Sequence, residues 1–321
     1  MNRVLVTGAS GFIGRALCRS LQGKGIQVVA LNRMSRSGPW NDEAIADLAD
    51  LTLDTKQLEN CEAVIHLAGI AHSNVSNQDE YDRINVQGTV QMAKKAIAAR
   101  IRRFVFVSST KATPFAEKKV VTGDAYGQSK YMAELELQRL ADSSDLNLTI
   151  IRPALIYGVG VKGNLDKLIK AIDRGWLPPL PETDHGISMI SMNDVIEAIE
   201  KIMSDDAAIS GTYTLADGQI YSARRIFNEI TSGFDRKVPR WSFPMFLVRS
   251  AALFGDLVEQ LFKARMPVNK EVIEKLFADS SYSADEITAA TGWQPTQVFA
   301  DVVPEMISQY TAKKGSGVRE W

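Results

Sequence analysis

Three glycines spaced three apart constrain this chain more than any other feature. They lie in Thr7-Gly8-Ala9-Ser10-Gly11-Phe12-Ile13-Gly14. The run follows directly on Arg3–Thr7, an apolar, β-branched segment that reads as a buried strand, and it opens a helical pattern over Ile13–Gln22. Strand, glycine turn and helix N-terminus together make a phosphate cradle. Gly8 permits the tight turn. Gly11 has no Cβ, so backbone N–H groups can approach a pyrophosphate, and Gly14 lets the helix pack closely on the sheet. The helix N-terminus then stabilises negative charge. Gly8, Ser10, Gly11, Phe12, Ile13 and Gly14 are therefore candidate dinucleotide contacts.

The alternation continues along the first half. Ile26–Leu31, Ala63–Leu67, Phe104–Ser108 and Leu148–Arg152 read as further buried parallel strands, and Glu80–Arg100 and Ala125–Ala141 as helices. This order predicts an α/β fold, a Rossmann-type doubly wound parallel sheet with right-handed crossovers, over residues 1–157. Residues 158–321 read as a smaller substrate-binding portion, from which late strands can return to the main sheet. Gly175–His185, rich in proline and acidic residues, reads as a loop. Asn193–Met203, Ser222–Thr231, Ser283–Thr291 and Val298–Tyr310 read as helices, and the tail Lys313–Trp321 as frayed.

Composition removes several function classes. The 321 residues carry 37 Lys+Arg against 38 Asp+Glu, a net charge of −1 that marks no nucleic-acid or anionic-membrane partner. Two cysteines, Cys18 and Cys61, cannot make a disulfide framework, and three histidines leave little room for a Cys/His metal site; no metal is expected. MNRVLVTGASGFIG has no apolar signal core, which points to the cytoplasm. Trp241–Phe262 is apolar, but Pro244, Arg249, Asp256 and Glu259 interrupt it too often for a membrane span. It reads as a buried or amphipathic helix, or as a surface that docks on a membrane or partner.

A second constellation lies in Asp124-Ala125-Tyr126-Gly127-Gln128-Ser129-Lys130. In Tyr-x-x-x-Lys on a helix the two side chains share one face. A free tyrosine, with a pKa of about 10, is a poor base near neutrality, and a nearby ammonium favours the phenolate. Tyr126 can then exchange a proton with a hydroxyl or carbonyl oxygen.

The glycine spacing together with Val107-Ser108-Ser109-Thr110, Tyr126-x-x-x-Lys130 and Arg152-Pro153, in that order, resembles the extended short-chain dehydrogenase/reductase superfamily. The resemblance implies that Tyr126, Lys130 and Ser109 are catalytic. Ser109 would polarise the substrate oxygen, with Thr110 beside it, and Lys130 would also hold the nicotinamide ribose. It implies further cofactor contacts at Asp50, Leu51, Leu67, Ala68, Gly69, Pro153 and Ile156. Asn85, in RINVQGT, matches the central-helix asparagine that holds backbone or an active-site water. His66 reads as a satisfied strand histidine.

The second strand ends in Asn32-Arg33, where an acidic residue would favour NAD. Asn32 cannot repel a 2′-phosphate, and the guanidinium groups of Arg33 and Arg36 can bind one. NADP(H) is therefore expected over NAD(H), the alternative being that Arg33 stacks on adenine or faces solvent.

IRPALIYGVGVKGN and ADEITAATGWQPTQ are similar to segments of the NAD(P)-dependent nucleotide-sugar epimerase/dehydratase branch, which places Asn164 at the nucleotide diphosphate. Thr110-Lys111 stands where the 4,6-dehydratases carry the Asp-Glu acid/base pair, Leu155 where 4-epimerases usually carry Asn, and the usual basic residue near Ile187 is missing. HLAGIAHSN resembles UDP-4-keto-6-deoxy-N-acetylhexosamine 4-ketoreductases of bacterial polysaccharide pathways, with His72 facing the sugar, although an exposed loop histidine reads equally well. The resemblance implies an NADP(H)-preferring reductase of a 4-keto nucleotide sugar. The alternatives are an NAD-dependent 4-epimerase like UDP-glucose 4-epimerase and a non-catalytic NADP-binding regulator or scaffold. It also implies a homodimer paired through the helices at Glu80–Arg100 and Ala125–Ala141, which serve equally well as sheet-covering helices.

Overall fold

The computed structural model describes residues 1–71, 78–119, 124–183, 185–204, 209–244 and 280–315. Two compact units account for the chain. The first comprises Met1–Ala154, Asn193–Leu215 and Ser283–Gln294, and the second Leu155–Met192, Ala216–Tyr282 and Pro295–Trp321.

The first unit is built on a seven-stranded sheet. Its strands are β1 (Arg3–Thr7), β2 (Gln27–Asn32), β3 (Asp42–Ile45), β4 (Ala63–His66), β5 (Arg103–Val107), β6 (Asn147–Pro153) and β9 (Gly211–Leu215). Their order is β3-β2-β1-β4-β5-β6-β9 and every pairing is parallel. This is the Rossmann-like arrangement, and the late strand β9 closes one edge. The apolar, β-branched runs sit on both sides of the sheet because helices cover both faces. Leu5, Val29, Val64, Phe104, Phe106, Ala133, Leu137 and Ile150 all lie in one buried cluster. The chain reverses direction across the sheet between β1 and β4, where Thr7 pairs with His66. Open α/β sheets hold their ligands at the carboxyl ends of strands at such a switch point.

In the second unit β7 (Leu155–Tyr157), β8 (Ile187–Ser191) and β10 (Ile220–Tyr221) form a three-stranded sheet, β7–β8 parallel and β10–β8 antiparallel. Helices Asn164–Asp173, Ala223–Gly233 and Phe299–Gly315 share a core with Tyr157, Tyr221 and Phe299. Buried Asp217 accepts from the Tyr221 hydroxyl at 2.6 Å, and that same hydroxyl accepts from the Phe299 N–H at 3.0 Å.

Two expectations need correction or placement. The tail is helical through Gly315 rather than frayed from Lys313, and Lys314 reaches Asp173 at 2.6 Å, which anchors the last turn. Residues 245–262 of the apolar stretch lie outside the described residues. Among the described residues no helix is long and apolar enough to cross a membrane.

Candidate active site

The glycine loop carries the geometry its spacing demands. Gly8 has φ +68°, and a Cβ there would lie 2.8 Å from the Ala68 nitrogen. A Cβ on Gly14 would come within 2.1 Å of the Gly8 oxygen, so the helix starts against the turn itself. Gly11 donates its N–H to Gly8 O at 2.9 Å, which closes the turn. Helix Phe12–Gly23 begins with no capping side chain and no acidic residue in its first turn. A helix start of that kind keeps its backbone donors and positive end for an anion. Loop and helix therefore fit a pyrophosphate.

A directional chain of hydrogen bonds ties this loop to the next strand. The Thr7 hydroxyl accepts from Ala68 N–H at 3.1 Å and lies 2.9 Å from His66 Nδ1. His66 Nε2 lies 2.9 Å from the Thr89 hydroxyl, which donates to Asn85 O at 2.7 Å. Thr89 spends its proton on that carbonyl, so Nε2 carries a hydrogen and Nδ1 accepts from Thr7. Burial, with the Lys130 charge in second place, pushes the imidazole down to about 3, so it stays neutral. His66 is the satisfied strand histidine read from the sequence.

Asn85 sits in a π-helical turn, Asp82–Gly88, that leads into helix Thr89–Ala98. Such wide turns recur at functional sites. Its Oδ1 accepts from Ile70 N–H at 2.8 Å, and its Nδ2 donates to Ile70 O and to Ser129 Oγ, both at 3.0 Å. Ser129 in turn donates to Tyr126 O at 2.8 Å. Asn85 thus holds backbone, one of the two roles anticipated. It joins the segment after β4 to the helix of Tyr126.

Helix Ala125–Asp142 starts at Asp124, whose carboxylate accepts from Gly127 N–H at 2.9 Å. Tyr126 and Lys130 project from its first turns. Burial, the largest effect, raises the Tyr126 phenol to about 12; a hydrogen bond with Ser109 opposes this, and Asp124 and Tyr81 add to it. The phenol is protonated, and the ammonium-lowered value anticipated from the spacing is not found. The physical reason is visible in Lys130, which donates to Val107 O at 2.9 Å and lies 4.7 Å from the Phe106 ring centre. Lys130 is itself 4% exposed and burial lowers its pKa to about 8, with Glu134 holding it up. Glu134, one turn further on, is buried and accepts from Ser108 and from both arms of the Arg152 guanidinium. Sequence reasoning used Arg152 only as a landmark and missed Glu134, although Tyr126, Lys130 and Glu134 recur every fourth residue. It also missed Lys111, which stands 5.7 Å from the Tyr126 ring centre and 3.6 Å from Asp124.

Ser109 is at the N-terminal end of the turn Thr110–Ala112, where its Oγ accepts from Lys111 N–H at 3.3 Å; Thr110 is buried. Arg33 and Arg36 have exposed side chains at the end of β2. Glu43 of β3, which sequence reasoning passed over, accepts from the Arg36 N–H at 2.9 Å. It also accepts from Asn32 Nδ2 at 2.7 Å. Asp50 is exposed five residues after β3, and Leu51 packs on the core cluster. Leu67, Ala68 and Gly69 follow β4 beneath Asn85. Pro153 ends β6, paired with Leu215. Ile156 and Asn164 belong to the second unit, Ile156 paired with Ile190 and Asn164 exposed at the start of its helix. His72 lies outside the described residues.

A dinucleotide cradle, a half-buried tyrosine one turn from a buried lysine and a serine at the neighbouring strand end agree with what the chain is similar to. The model of the NAD dependent epimerase/dehydratase family matches residues 4–216. "UDP-glucose 4-epimerase" of Vibrio cholerae is 28% identical over 317 residues, 93% of this chain and 92% of that protein. "2-alkyl-3-oxoalkanoate reductase" of Stenotrophomonas maltophilia is 26% identical, over 91% of this chain and 94% of the relative. Among solved structures, "MoeE5 in complex with UDP-glucuronic acid and NAD" superposes with a TM-score of 0.75 at 20% identity, covering 98% of this chain and all of that one. The Bordetella bronchiseptica enzyme WbmG in complex with NAD and UDP gives 0.70 at 16%, over 96% and 94%. The chain therefore belongs to the NAD dependent epimerase/dehydratase family, enzymes of the extended short-chain dehydrogenase/reductase type.

Proposed function

We propose that the protein reduces the 4-keto group of a nucleotide sugar, of the UDP-4-keto-6-deoxy-N-acetylhexosamine type, in the making of polysaccharide sugars. The observation that carries this reading is the protonated phenol of Tyr126, bonded to Ser109. The phenol holds its proton at neutral pH and can give it to an oxygen that becomes more basic than the phenolate, as a developing alkoxide does. When bound, a reduced nicotinamide dinucleotide supplies hydride to the carbonyl carbon. Gly8, Gly11, Gly14 and the first turn of the following helix would hold its pyrophosphate. Ser109 donates to the carbonyl oxygen and orients it, and Tyr126 passes its phenolic proton to that oxygen as charge develops there. Lys130, charged below about pH 8, would hold the nicotinamide ribose, as the resemblance implies. His72 and Asn164 are carried in this proposal as sugar and diphosphate contacts, on the strength of the resemblance.

The NADP(H) preference expected from Arg33 is not retained. Both guanidinium groups are exposed, and the Glu43 carboxylate, bonded to Asn32 and to the Arg36 N–H, would repel a 2′-phosphate. Cytoplasmic location and a homodimer belong to the proposal. Helices 89–98 and 125–142 would pair across a two-fold axis, and Met132 on the second is 39% exposed.

A second reading, a 4-epimerase, is favoured by the Vibrio cholerae relative. The two separate in one assay. With a UDP-4-keto-6-deoxy-N-acetylhexosamine, the reductase consumes one reduced cofactor per product. A 4-epimerase instead converts UDP-glucose or UDP-N-acetylglucosamine with no net change in cofactor. Epimerisation without cofactor loss would replace the first reading by the second.

A further inference from the structure

The helix that carries the proposed proton donor starts on an acid, and the two roles conflict. Asp124 caps helix Ala125–Asp142, its Oδ1 accepting from Gly127 N–H at 2.9 Å. A carboxylate at a helix start stabilises the helix, since it meets free backbone donors and the positive end of the dipole. Tyr126 follows almost at once in the sequence. When its phenol gives up the proton, a second negative charge forms near that of Asp124, and like charges oppose each other. Burial first, and Asp124 behind it, already strengthen the phenol's hold on its proton. Lys130 stands one turn away, but its ammonium donates to Val107 O at 2.9 Å and lies 4.7 Å from the Phe106 ring centre.

Lys111 reaches the same place from another element. It belongs to the turn Thr110–Ala112, which Ser109 opens just after β5, and its N–H donates to Ser109 Oγ at 3.3 Å. Its Nζ lies 3.6 Å from Oδ2 of Asp124, the other oxygen of the capping carboxylate, and 5.7 Å from the centre of the Tyr126 ring. Turn and helix start are in close contact, for a Cβ on Gly127 would stand 2.5 Å from Lys111 O. Ammonium, carboxylate and phenol ring thus form one group. The Lys111 side chain is 50% exposed and that of Asp124 28%, so solvent screens the pair and it adds little to fold stability. What it changes is the field at the phenol. We propose that Lys111 is a positioning residue for proton transfer, offsetting at Tyr126 the charge of the carboxylate that caps Tyr126's own helix. The helix keeps its acidic cap, and the phenolate forms without a bare carboxylate beside it. Lys111 neither gives nor takes the proton, which passes from the Tyr126 hydroxyl to the sugar oxygen. The inference rests on that exchange, and it holds for a keto-reduction and for an epimerisation alike.

The test is steady-state kinetics on the full chain with a UDP-4-keto-6-deoxy-N-acetylhexosamine and reduced dinucleotide, or with UDP-glucose if that is what the wild type turns over. Lys111→Met should lower kcat about tenfold and leave the KM for the sugar and the Kd for NADH within about twofold. Lys111→Arg should keep most of kcat, since it brings the same charge to Asp124. Adding Asp124→Asn to Lys111→Met should bring kcat back to within about threefold of the wild type. The amide oxygen can still cap Gly127, and no charge is left to offset. A lysine needed only for packing, or for contact with the sugar, would not be rescued by a change at Asp124. Thermal unfolding checks each variant's fold, and if Lys111→Met does not fold, Lys111→Gln replaces it. A Lys111→Met variant as fast as the wild type, or one that Asp124→Asn leaves slow, would overturn the inference while leaving the role of Tyr126 intact. A wild type that turns over neither substrate, or a Tyr126→Phe variant as fast as the wild type, would overturn both.

Discussion

Tyr126 and Lys130 share one helix face; Lys130 is buried and Tyr126 half-buried, and desolvation acts on them in opposite directions. It raises the phenol to about 12 and lowers the ammonium to about 8. The spacing was legible in the sequence; the degree of burial was not, because it depends on Phe106, Val107 and Tyr81 from other segments. The pH dependence follows with a definite sign. Lys130 has its folded-state value depressed below 10.5, so its charge is present below about pH 8 and lost above. Turnover should therefore fall as pH rises through about 8. Glu134 raises the ammonium's value, and Glu134→Gln should move that limb to lower pH. A pH profile of kcat for both proteins checks this; coincident limbs would remove Lys130 from the titration. The proton-donor role has its own check. Tyr126→Phe should lower turnover by roughly 10²–10⁴-fold and leave the Kd for NADH nearly unchanged, as measured by steady-state kinetics beside a binding titration.

At the scale of elements, the glycine loop was the most legible part of the molecule. Glycine at those positions has one physical cause, close approach, and the structure gives its magnitude at Gly14, where an added Cβ would stand 2.1 Å from Gly8 O. Gly14→Ala should therefore cost about 1–3 kcal/mol in a denaturant titration and weaken NADH binding at least about tenfold, since the helix start must move off the turn. The strands through β6 and their order were readable for the same kind of reason, buried apolar runs separated by helical periods. The π-helical turn at Asp82–Gly88 was not. Its sequence, DRINVQG, has ordinary helical composition, and the widening is sustained by tertiary bonds from Asn85 to Ile70 and Ser129. Glu43 escaped notice for a similar reason. It lies eleven residues from Asn32 in sequence, and only the β2–β3 register brings the two together.

For the molecule as a whole, the chain's return to the first unit through β9 and helix Asp285–Thr291 makes the Rossmann-like unit discontinuous, which a linear division of the sequence cannot express. Its stability depends on the chain Thr7–His66–Thr89, which is fully satisfied only with a neutral imidazole. The folded-state value near 3 lies below the 6.5 of a free histidine. The contribution is thus complete above about pH 6.5 and is lost as pH falls toward 3, on the order of 4 kcal/mol over that window. Urea unfolding between pH 7 and 4 should show the loss in the wild type and a shallower slope in His66→Gln. Equal slopes would show that other groups drive acid unfolding. The central claim, proton donation from Tyr126 as hydride reaches a sugar carbonyl, is tested most directly by isotope. The protein is incubated with a UDP-4-keto-6-deoxy-N-acetylhexosamine and reduced dinucleotide deuterated at the nicotinamide C4. The account predicts one deuterium at sugar C4 for each cofactor oxidised, and none from Tyr126→Phe on the same timescale. Product free of deuterium, or a Tyr126→Phe variant as fast as the wild type, would contradict it.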